Sequence, residues 1–149
     1  MYLAVVGAGG RFIGSNPSYS SFELQHLFKI SEVRFILTDP ELLQNVETAS
    51  KAVDIPASNI FTFHTDFQRK APDFDSWEVL LRHGESHWIE FDNEVKAKTT
   101  VAALMSTSGT TGLPKVAQSS HYSQVAQSII LKEENKPYEV FCSHCIFEL

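Results

Sequence analysis

Cysteine is scarce in this chain: of 149 residues only Cys142 and Cys145 are cysteines, both close to the C-terminus. That excludes a disulfide framework, and a reducing, cytoplasmic setting is expected. No apolar run approaches the ~20 residues needed to cross a bilayer. The apolar stretch Met1 to Val6 lacks the basic flank of a secretory signal. Positive charge is also in short supply. Twelve Lys and Arg are set against eighteen Asp and Glu, a formal charge of −6 at pH 7. No basic face is left to neutralise a nucleic-acid backbone, so that partner class is excluded. A nucleotide ligand, which needs only local positive charge, is not.

What is present describes a globular protein: 43% of residues are hydrophobic and 20% charged, with length for one domain and a sizeable core. Tyr2 to Val6 is a short apolar segment running into Gly7-Ala8-Gly9-Gly10. Ser20 and Glu23 make a capping box for a helix with Leu24, Leu27 and Phe28 on one face. Val33 to Thr38 reads as a buried parallel strand. Asp39-Pro40 starts a second helix, with Leu42, Val46, Ala49 and Val53 as its apolar stripe. Asn59 to Phe63 reads as another strand, and Asp75 and Glu78 as caps of a helix that Gly84 closes. Ser86 to Thr100 is acidic and patternless, a surface loop by this reading. Val101 to Met105 is a buried strand, Val116 to Ser119 is extended, and a last helix runs from His121 to Glu133 with Val125, Ile129 and Tyr122 inward, ending before Pro137. Strands and helices alternate, which predicts an α/β layered domain with a largely parallel sheet flanked by helices.

The stretch that carries chemistry is Thr107-Ser108-Gly109-Thr110-Thr111-Gly112-Leu113-Pro114-Lys115, directly after the Val101 strand. Four hydroxyls and two glycines fill Thr107 to Gly112, and a proline and a lysine follow. Glycines let backbone N–H groups turn inward, hydroxyls donate to phosphate oxygens, and Lys115 adds a point charge. On composition alone a solvated turn is the favoured reading. The spacing is not that of the Gly-x4-Gly-Lys-Ser/Thr nucleotide loop, because Lys115 lies three positions after Gly112 and precedes Val116. In α/β sheets such a loop falls at the carboxyl end of a strand, where ligands collect.

Two other clusters invite rival readings. Val5-Val6-Gly7-Ala8-Gly9-Gly10-Arg11-Phe12-Ile13-Gly14, with Asp39 after the next strand, looks like the opening of a short-chain NAD(P)-dependent reductase. Gly10 to Gly14 is one residue too long for that fingerprint and the chain has no Tyr-x3-Lys pair, so close packing of the glycines is favoured. Cys142-Ser143-His144-Cys145 offers one pair of metal ligands where zinc needs about four. No metal site and no catalytic residue are assigned.

The ordered loop Thr107 to Lys115 resembles the signature of the adenylate-forming (AMP-binding) enzymes, the acyl- and aryl-CoA ligases. Leu3 to Gly10, Gly14 to Tyr19 and Glu23-Leu24 resemble the region upstream of that loop, most closely in the fungal 4-coumarate–CoA-ligase-like group. The resemblance implies ATP-dependent adenylation of a carboxylic acid followed by thioester formation, with ATP, Mg²⁺ and CoA as cofactors. It implies that Thr107, Ser108, Gly109, Thr110, Thr111, Gly112 and Lys115 bind nucleotide phosphate. It also implies an incomplete N-terminal domain over residues 1–140, a divergent tail over 141–149, and a truncated ligase that is inactive at this length. Val116 stands where that family commonly has glycine. A third reading is a non-catalytic partner protein that associates through an exposed sheet edge.

Overall fold

The computed structural model describes residues 1–63, 73–85, 87–107 and 112–134, with side chains to residue 132. In chain order the elements are α1 (Tyr2–Gly7), β1 (Phe12–Ile13), α2 (Ser21–Ile30), β2 (Ile36–Thr38), α3 (Leu43–Lys51), β3 (Ile60–Thr62), β4 (Asp75–Ser76), α4 (Glu94–Thr99), β5 (Val101–Thr107), β6 (Lys115–Ser120) and α5 (His121–Glu134), with short 3-10 turns between some of them. The strands form two three-stranded sheets, ordered β1-β5-β6 and β2-β3-β4. The α/β class and the parallel pairing agree with the sequence, while the parallel strands are divided between two sheets instead of lying in one. The chain falls into two compact units. One is Pro17–Ser86 with Thr107–Val116, and the other is Met1–Asn16, His87–Ser106 and Ala117–Leu149.

In the unit built on Pro17–Ser86, α2 starts as its sequence demands. The Ser20 hydroxyl accepts from the Glu23 amide, and the Glu23 carboxylate accepts from the Ser20 amide at 2.8 Å. Those bonds satisfy donors that the first turn leaves without helical partners. Leu24, Leu27 and Phe28 are all buried. Leu24 and Phe28 form one cluster with Ile36 of β2, Val46 and Ala49 of α3, Ile55 and Ile60. β2 and β3 are parallel in the register Ile36↔Ile60, Leu37↔Phe61 and Thr38↔Thr62, joined through α3 as a β-α-β unit. β4 continues the parallel pairing, Phe61 opposite Asp75. Asp39 caps a 3-10 turn, Pro40–Leu42, that leads into α3.

Three local expectations are corrected here. The strands are shorter than Val33–Thr38 and Asn59–Phe63, because only Ile36–Thr38 and Ile60–Thr62 face each other in the ladder. Asp75 does not cap the following turn: it lies in β4, and the Ser76 hydroxyl accepts from the Glu78 amide instead. That turn, Trp77–His83, is a 3-10 helix, and Gly84 ends it at φ +79°.

In the other unit β1 pairs parallel with β5, Phe12 opposite Ala103 and Ile13 opposite Leu104. Ala102, Ala103 and Leu104 are buried, so the strand predicted from its apolar run is the inner one. The supposed loop Ser86–Thr100 contains α4, whose N-terminus is capped by the Asn93 side chain accepting from the Lys96 amide at 3.0 Å. The α5 helix forms where expected, yet Tyr122, Val125 and Ile129 are 45%, 59% and 51% exposed and do not face a core.

Candidate functional site

The glycine- and hydroxyl-rich segment joins β5 to β6, strands that are neighbours in one sheet. Its described residues are Thr107 on one side and Gly112 to Lys115 on the other; Ser108, Gly109, Thr110 and Thr111 lie outside the described residues. Thr107 is the last residue of β5 and Lys115 the first of β6. The Thr107 hydroxyl donates to the Lys115 carbonyl oxygen at 3.5 Å, closing the mouth of the loop. Gly112 sits at φ +96°, where a side chain would be strained. Pro114 is buried and Lys115 exposed. Among the described residues no carboxylate pairs with the Lys115 ammonium.

A second contact holds the loop exit. His26, half-buried on α2, places its Nε2 atom 3.1 Å from the Pro114 carbonyl oxygen. A carbonyl can only accept, so Nε2 carries the proton in this bond. Sequence reasoning missed this residue. With 88 positions between the partners, no spacing rule could have linked them.

The early glycine cluster is used differently. Gly7 ends a helix where a dinucleotide fingerprint requires a strand, and a strand, β1, follows where a helix is required. A Cβ on Gly7 would lie 2.2 Å from the Trp88 ring, and one on Gly9 2.5 Å from Ile89 Cδ1. The Ile89 amide donates to the Gly7 carbonyl at 2.9 Å. These glycines therefore admit the chain around Trp88 and Ile89, which corrects the reductase reading in favour of close packing. The Asp39 carboxylate is likewise engaged, accepting from the Glu41 amide at 2.9 Å.

His121 opens α5 and stacks on Phe91, and its buried Nε2 has no hydrogen-bond partner among the described residues. Burial pushes its pKa below the ordinary 6.5. Among the described residues no three His, Cys, Asp or Glu side chains gather as metal ligands; Cys142, His144 and Cys145 lie outside them. No helix among the described residues is long and apolar enough to cross a membrane.

Comparison with known proteins gives the same direction as the loop. The AMP-binding enzyme family matches residues 1–145. An acyl-CoA synthetase of Alternaria alternata, ACTT5, is 38% identical over 136 residues, covering 91% of this chain and 24% of the relative. An acyl-CoA ligase of Aspergillus niger, azaF, is 35% identical over 142 residues, 93% of this chain and 27% of the relative. The crystal structure of ATP-bound MatB from Rhodopseudomonas palustris superposes with a TM-score of 0.63 at 27% identity, over 89% of this chain and 24% of that one. The chain thus spans about a quarter of the length of the relatives it matches.

Proposed function

The chain belongs to the AMP-binding enzyme family, and from that premise we propose that it is the phosphate-binding portion of a carboxylate–CoA ligase. In this reading a carboxylate oxygen attacks the α-phosphorus of ATP, the bond to the β-phosphate oxygen breaks, and pyrophosphate leaves. The thiolate of CoA then attacks the acyl carbon and AMP departs. Thr107, Ser108, Gly109, Thr110, Thr111 and Gly112 hold the β- and γ-phosphates with hydroxyl and amide donors, and Lys115 offsets charge that builds on the leaving pyrophosphate.

One observation carries the reading: the loop leaves the carboxyl end of β5, a strand parallel to β1, and its two ends are clasped by the Thr107–Lys115 bond, with the exposed Lys115 side chain at its exit. Mg²⁺ is a different matter. Among the described residues no three His, Cys, Asp or Glu side chains gather as metal ligands, and no step is assigned to that ion. The partial adenylation domain is placed at residues 1–140 with 141–149 as a divergent tail, in a cytoplasmic setting. Calorimetric titration with MgATP tests the assignment. Binding in the millimolar range that disappears in Lys115→Ala is expected, and equal binding by chain and variant overturns it.

Self-association through an open sheet edge has one favouring observation. β2 is an edge strand and Phe35 beside it is 68% exposed. A mass that rises with concentration in light scattering supports it, and a monodisperse monomer contradicts it.

A further inference from the structure

We infer that His26 is a positioning residue for the phosphate loop, acting through the Pro114 carbonyl; this rests on the nucleotide reading of that loop. Two successive carbonyls at the loop exit, those of Pro114 and Lys115, are each taken by a side chain, His26 and Thr107. The Thr107 bond ties the exit only to the loop's own beginning. The His26 bond ties it to α2, an element anchored independently by its capping box and by buried Leu24, Leu27 and Phe28. Held to α2 as well, the loop presents Lys115 in one direction.

The local chemistry makes the Pro114 carbonyl the natural point of attachment. Proline has no N–H, so this oxygen is its sole backbone polar atom. Pro114 is buried, and a buried carbonyl stripped of its donor is penalised. Nor is His26 spoken for by the core: Leu24 and Phe28 pack into the hydrophobic cluster, while His26 lies off that stripe and reaches the loop. Both the neutral Nε2–H tautomer and the imidazolium can donate this bond.

The test uses the full chain with His26→Ala, His26→Gln and Lys115→Ala, each titrated with MgATP and followed by amide hydrogen exchange. Loss of the tether in His26→Ala is expected to weaken MgATP binding about threefold to tenfold and to speed exchange at Lys115 and Val116. His26→Gln, whose amide nitrogen can donate from a similar place, is expected to restore both. A merely structural role would lower the melting temperature without that rescue. Unchanged exchange and unchanged affinity in His26→Ala, with affinity still lost in Lys115→Ala, overturn the tether and leave the nucleotide reading standing. Unchanged affinity in Lys115→Ala overturns that reading and the tether with it.

Discussion

The imidazole of His121 lies nearly flat on the Phe91 ring, with centroids 3.7 Å apart and planes inclined by 27°. The Lys96 ammonium stands 5.4 Å from the centroid of the same phenyl ring, and the His121 amide donates to the Thr100 carbonyl at 3.1 Å. The start of α5 is thus fixed to the segment before α4 and to the residue after it by an aromatic contact and a backbone bond. A neutral imidazole suits this place: among the described residues its Nε2 has no partner to stabilise added charge, and the Lys96 ammonium already sits against the ring on which it stacks.

Stability is therefore expected to fall on acidification. Desolvation lowers the His121 pKa in the folded chain, so between the unfolded and folded values the unfolded chain binds more protons. The contribution is fully present above the unfolded value of 6.5 and is lost as pH drops through the depressed folded one. Melting temperatures measured from about pH 7.5 down to about pH 5 should decline in this chain. The decline should be smaller in His121→Phe, which keeps an aromatic stack without a titrating group. Parallel profiles for the two proteins would contradict the assignment.

Gly7 and Trp88 should be coupled. Adding the methyl group of Gly7→Ala where the Trp88 ring stands 2.2 Å away forces the indole or the backbone to move, an overpacking expected to cost about 1–3 kcal/mol. In a Trp88→Ala background the same change should be nearly neutral. A double-mutant cycle by denaturant unfolding measures the difference, and additive effects would show that the ring is not what the glycine accommodates.

Helix α2 should depend on its cap. Ser20→Ala removes the hydroxyl that accepts from the Glu23 amide and is expected to lower stability by about 0.5–2 kcal/mol, with Ser20→Asn close to the original. It should also raise the Glu23 pKa, which the Ser20 hydroxyl and then the Ser20 amide hold below its ordinary value; carboxylate NMR titration reads that shift directly.

Burial should separate two apolar positions that look alike in the sequence. Ile60, 2% exposed in the α2–α3 cluster, should lose about 2–5 kcal/mol on truncation to Ala. Val125, 59% exposed on α5, should tolerate Val125→Ser within about 0.5 kcal/mol. Urea unfolding of both variants decides it.

What the sequence disclosed follows from what its signals encode. Capping residues act within four positions, so Ser20–Glu23 and Asp39–Pro40 could be read directly, and both occur. The apolar run at Val101 is unambiguous because β5 is the inner strand of its sheet. By contrast α4 buries only Ala97. It is held by the Asn93 cap and a Lys98–Glu94 ion pair, and so it has no apolar period to detect. The α5 stripe was legible as a helix, but periodicity reports a face and not what covers it. Division of the strands into two sheets, like the His26–Pro114 contact, depends on residues far apart in the chain, for which local patterns carry no information. At the site, the residue types of the loop were legible; the clasp between Thr107 and Lys115 and the tether from α2 were not.

The most direct test of the phosphate-loop assignment is a ¹⁵N-labelled NMR titration of the chain with MgATP. Amide shifts should concentrate at Thr107, Gly112, Leu113, Lys115 and Val116, with Gly7 to Gly14 unmoved because Gly7 and Gly9 pack against Trp88 and Ile89. Shifts centred on Gly7 to Gly14, or none around Lys115 at saturating nucleotide, would contradict it.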